Sequence, residues 1–237
     1  MVSRGRPTLP ISYLEGILRY GRADGWSYFD LTGCREEFVI AMIKLAKLAA
    51  QNEKAEEMEW LVFDTFPVDE VEDLLRELPS SLPDYDSTED EETLNLGSDR
   101  YHCDEAWRCA LLLYITRVFR WKRDGPIPGT AGYLARVILD HARNIRRSVT
   151  FQKQLLLPVF LAGAEVRRQE NRDFVREYCQ YWTRSCGFKM FEDVSSLLEE
   201  IWNEQDNCST PSVWWATMIE RRKQGSQGLF NPQILLG

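Results

Sequence analysis

Between Asp104 and Lys122 the sequence reads as a helix whose centre, Ala110–Ile115, is apolar on every side. Asp104 and Glu105 open it, and Arg117, Arg120 and Lys122 close it, so charge is confined to the two ends where it complements the helix dipole. A helix without a polar face has nothing to offer solvent and belongs in the middle of other helices. This element therefore predicts a multilayer helical assembly, with further helices on all sides of it.

The rest of the chain supplies them. Phe38, Met42, Leu45 and Ala49 recur at helical spacing through Arg35–Ala49, flanked by Val39, Ile43 and Ala46, with Glu36 and Glu37 in the first turn and Lys44 and Lys47 further on. Residues 53–64 and 68–78 read as a helix pair broken near Pro67. Later helices are expected over 133–146, 155–166, 171–185, 191–203 and 213–222. Within 155–166, Pro158 either starts the helix or kinks a longer one. Gly187 is a stop signal for 171–185. A weak helix at 14–19 and an irregular connector make 1–29 a separate N-terminal portion, ahead of the main body at 30–237. Residues 79–97 hold Asp84, Asp86, Glu89, Asp90, Glu91 and Glu92; such a stretch repels itself and buries little, and it reads as a solvated acidic loop. No segment shows strand alternation. The expected fold is all-α, an antiparallel bundle of eight to ten helices.

Composition narrows the function. Of 237 residues, 37 are acidic and 29 basic, a formal charge of −8. That balance disfavours direct nucleic-acid binding, whose affinity comes from concentrated Lys and Arg. The short basic groups Arg143/Arg146/Arg147, Arg167/Arg168 and Arg221/Arg222/Lys223 read more simply as helix ends or solvated faces, the last also as a weak nuclear-import signal. Met1–Pro10 does not read as a secretory leader, and the run 155–164 is too short to cross a bilayer. A nuclear or cytoplasmic, non-secreted protein with no membrane partner is expected. The six cysteines (34, 103, 109, 179, 186 and 208) include no CxxC pair, so they read as free core thiols and no metal site is expected.

Catalytic signatures are missing as well. Adjacent pairs such as His102–Cys103 and Asp140–His141 point in different directions on a helix, so structural or surface roles are expected for both histidines. There is no nucleophile elbow, glycine-rich phosphate loop or dinucleotide fingerprint, and no cofactor is expected. Trp107, Tyr114, Phe160, Tyr178, Trp182 and Trp202 could line a cavity between helices, although aromatics dominate ordinary cores. If they do, Glu165 and Arg172 are the nearest polar residues to orient a ligand.

Four stretches, in order, resemble the fungal-specific transcription factor domain that lies C-terminal to zinc-cluster DNA-binding modules. They are Asp30–Cys34 with the helix at 43–50, Ala106–Tyr114, Leu157–Glu165 with Arg172 following, and Leu197–Trp202 with Val213–Trp215. The resemblance covers 30–237 and implies a helical regulatory or ligand-sensing domain. The zinc cluster does not carry over, because its cysteine pairs are missing. With Met1 almost inside the domain, the chain reads as a truncated relative, a gene fragment or a stand-alone descendant. The expected role is a regulator acting through a protein partner, such as a full-length relative, or a small hydrophobic effector. The alternative is a helical binder or cofactor-independent cyclase or isomerase of a fungal biosynthetic pathway.

Overall fold

The computed structural model describes residue 29 and residues 33–58, 60–79, 90–122, 125–207 and 213–225. Among these the chain forms eight α-helices and no strand. They are α1 (Glu36–Glu57), α2 (Phe66–Glu77), α3 (Glu91–Ile115), α4 (Gly129–Asn144), α5 (Leu156–Glu165), α6 (Gln169–Cys186), α7 (Lys189–Asn207) and α8 (Trp215–Gly225). The all-α reading holds, and the number of helices falls within the expected range. The expected helix at 14–19 lies outside the described residues.

The centre of α3 behaves as its apolar circumference requires. Every residue from Ala106 to Ile115 is buried, and α3 touches α1, α2, α4 and α5. Its broadest interface is with α4, which presents Ala131, Ala135, Ile138, Leu139 and Ala142. Three alanines on that face let the two backbones approach closely. The second hub is α5, whose residues Leu156–Ala164 are all buried and which meets α3, α4, α6 and α7.

Two sequence expectations need correction. The acidic loop does not extend to residue 97: α3 begins at Glu91, far upstream of Asp104. Asp90 is its N-cap, with a side chain that accepts a 2.7 Å hydrogen bond from the Thr93 amide. That bond is the first cause holding the Asp90 carboxyl below its usual range. Glu91 and Glu92 occupy the first turn. Acids that repel one another in a loop become favourable when they face the positive end of a helix dipole. Residues 80–89 lie outside the described residues.

The second correction concerns the helices expected at 35–49 and 53–64. They form one continuous α1, because nothing between Ala50 and Glu57 breaks a helix. The chain leaves helical geometry at Met58, residues 60–65 are irregular, and Pro67 sits at the start of α2. Pro158 likewise falls in the first turn of α5, preceded by a 3₁₀ turn at Thr150–Leu155. A missing amide costs little there, since first-turn amides have no intrahelical acceptor. Gly187 ends α6 with φ of 68°, its amide donating to the Thr183 carbonyl.

Beyond Ile115 the helix widens into a π turn, Thr116–Arg120. This places Arg117 in the interior while Arg120 reaches Asp69 and Glu72 on α2. π turns inside helices are often found at functional sites.

Candidate functional site

Charge enters the core at the end of α3. Arg117 is 2% exposed, and its Nε donates to Glu165 Oε1 at 2.7 Å. Its Nη2 donates to the Val213 carbonyl at 3.2 Å, and its guanidinium lies 3.9 Å from the Trp121 ring centroid and 5.3 Å from that of Trp214. Burial pushes the Glu165 carboxyl up from its usual range, and Arg117 offsets part of that push. One ion pair thus ties together the π turn, the end of α5 and the entry to α8.

The same end of α5 is closed by α6 and α7. Trp202 Nε1 donates to the Gly163 carbonyl at 2.8 Å, and Gln205 Nε2 donates to that of Ala164 at 2.7 Å. Arg172 reaches the Val166 carbonyl, forks onto Asp206 at 2.6 and 2.9 Å, and lies over Trp202. These side chains satisfy carbonyls that a helix terminus leaves without amide partners. Exposed Asp206 is held below its usual range, first by its bond to Arg172.

The remaining residues expected from the sequence fall elsewhere. Tyr178 donates its hydroxyl to the Gln152 carbonyl at 2.9 Å, and Trp182 Nε1 donates to Gln152 Oε1 at 3.1 Å. Tyr114 and Phe160 both stand against Trp215. Trp107 is buried without a partner for its Nε1. Tyr114 also lines a small cavity of about 20 Å³ with Leu45, Leu111 and Leu161, which has room for about one water and an almost wholly apolar lining. Glu165 and Arg172 take different partners, Arg117 and Asp206.

Three groupings were missed by the reading of the sequence. Arg117 reads there as the closing cation of a helix, and its partner lies 48 residues away. His102 and His141 meet across α3 and α4 with their Nδ1 atoms 2.8 Å apart. Only the pairing of α3 with α4 brings them together.

The third is a surface between α1 and α2. There Trp60 is 79% exposed, Val62 89% and Phe66 65%, with Met58 and Leu61 also exposed. Phe63 stacks on Phe119 and anchors the segment, so its neighbours turn outward. The exposed acids Glu57, Asp64, Glu70 and Asp73 come from the same segment and the adjoining turns. The run Trp60-Leu61-Val62 between acids was the available signal, hidden by its assignment to a helix.

A model of the fungal-specific transcription factor domain matches residues 2–228. The chain belongs to that family. No curated protein and no solved structure matches it. In this fungal-specific transcription factor domain, the described parts of the sequence signatures coincide with the architecture just traced. Ala106–Tyr114 is the buried centre of α3, Leu157–Glu165 is the hub α5, and Trp202 and Trp215 close the bundle. Membership gives a transcription-regulator-type domain. Among the described residues, no helix is long and apolar enough to cross a membrane.

Proposed function

We propose that these 237 residues act as a transcription regulator through protein contacts, without a DNA-binding module of their own, and that the face between α1 and α2 makes the contact. The observation that carries this is the cluster Trp60, Val62 and Phe66, three large apolar side chains more than half exposed. Patches of this kind mark interaction sites, aromatic residues are enriched at interfaces, and Trp is among those that carry most of the binding energy. The neighbouring acids select a partner with apolar anchors and a basic rim, and they disfavour two copies meeting acid to acid. The net charge of −8 and the lack of any CxxC pair support the absence of direct DNA binding.

The test fuses the chain to an unrelated DNA-binding module upstream of a reporter in a fungal cell. The fusion should change reporter output, and Trp60→Asp with Phe66→Asp should abolish the change at equal protein level. The unfused chain should leave duplex DNA unshifted at physiological salt. Unchanged reporter output from the fusion, or tight DNA binding by the chain alone, would overturn the reading. A relative of this domain carrying its own zinc cluster is the first partner to try, and a nuclear location follows from the role.

A further inference from the structure

A groove of about 440 Å³ opens between the start of α4 and the α5–α6 corner. Its floor and rim combine apolar surface from Ile127, Pro128 and Val166 with the guanidinium side chains of Arg136, Arg167 and Arg168. Its size lies in the range of small-molecule sites. A Cβ built at Gly129 or Gly132 would meet nothing within 4 Å, so the α4 side of the groove is open.

The arginines distinguish this groove from ordinary surface. In this acidic chain, the arginines on other faces are largely committed: Arg76, Arg120, Arg143, Arg146, Arg172, Arg176, Arg221 and Arg222 all meet carboxylates. Among the described residues, Arg136 and Arg168 make no side-chain hydrogen bond or ion pair, and both line the groove. Arg184, on the surface of α6, is the other arginine in that condition. Asn171 adds a donor. It is 9% exposed, its Oδ1 accepts from Arg143 at 2.7 Å, and among the described residues its amide hydrogens meet no protein acceptor. Glu165 also lines the groove, but its charge is matched by Arg117 and its side chain is only 3% exposed.

We infer that this groove binds a small amphiphilic oxyanion, a carboxylate or phosphate monoester carrying an apolar body. Arg136 and Arg168 hold the oxyanion, Asn171 donates to it, and Ile127, Pro128 and Val166 cover the apolar part. Guanidinium forks match both headgroups. The site is separate from the Trp60 face, so the two proposals stand or fall independently.

The test titrates the full chain with hexyl phosphate and hexanoate, with hexanol and inorganic phosphate as controls, read by calorimetry and by tryptophan fluorescence. At least one amphiphilic anion should saturate below ~10 mM. Arg136→Glu with Arg168→Glu should weaken it by about tenfold or more, with an unchanged melting temperature because neither side chain has a partner to lose. Arg184→Glu should bind as the parent does. Arg136→Gln with Arg168→Gln gives the same answer if the reversals disturb the fold. Which anion binds more tightly distinguishes the headgroups. The inference fails if neither anion saturates, if hexanol or inorganic phosphate binds as tightly, or if the double variants bind undiminished.

Discussion

Replacing Glu165 by Gln removes one charge from the interior and leaves Arg117 where it is. The two side chains are 3% and 1% exposed, so solvent cannot replace the lost partner. A guanidinium cannot neutralise itself by releasing its proton at ordinary pH. Breaking such a pair from one side costs about 3–5 kcal/mol, which in a chain of this size lowers the melting temperature by roughly 6–20 °C. The opposite deletion is milder. With Arg117→Met, the carboxyl left behind can take up a proton, and burial already pushes its affinity for that proton up. A raised folded pKa means that the folded state binds protons more readily, so the Arg117→Met deficit should shrink as pH falls from 7 towards 5. The double variant Arg117→Met with Glu165→Leu, which leaves no buried charge, should recover most of the Glu165→Gln loss. Urea unfolding followed by tryptophan fluorescence measures all three. A loss below about 1 kcal/mol for Glu165→Gln, or a double variant as unstable as the sum of the singles, would refute the reasoning.

Other consequences follow from the same structure. The Nδ1 atoms of His102 and His141 lie 2.8 Å apart, a contact that needs one donor and one acceptor. Burial holds both histidines below the usual range, and in His141 the neighbouring His102 adds to the effect. Their contribution should therefore be complete at neutral pH and be lost as pH falls through about 6.5 and below. His141→Gln should flatten that decline in urea midpoints measured from pH 7 to 5. Asp104 has the opposite sign: desolvation, the main cause, raises its carboxyl to about 6, so its ionisation destabilises the fold as pH rises from about 4 through 6. Asp104→Asn should gain stability relative to the parent at pH 7 and lose that gain by pH 4. At Gly163 a Cβ would stand 3.0 Å from Leu198 Cδ1. Helix propensity favours Gly163→Ala by about 1 kcal/mol, and overpacking opposes it by about 1–3 kcal/mol. The expected outcome is a net loss of about 1 kcal/mol by urea unfolding, and an increase in stability would show that Leu198 yields freely.

The sequence by itself determined that this chain is helical and which helix lies at its centre. Periodicity and an all-apolar circumference act locally, and they are written in consecutive residues such as Ala110–Ile115. It also carried the family signature, because those motifs are the packing surfaces of α3, α5, α7 and α8. It misjudged residues 90–97, where the same acids suit either a repelling loop or a capped helix start. Asp90 and its bond to Thr93 decide between the two. Only the tertiary structure decided the polar arrangement. Arg117 and Glu165 join across 48 residues, Arg172 takes Asp206 rather than Glu165, and His102 finds His141. The exposure of Trp60, Val62 and Phe66 likewise depends on Phe63 docking against Phe119. Charge pairing and exposure depend on which surfaces meet after the helices pack, and the interval between two residues in the chain carries almost none of that information.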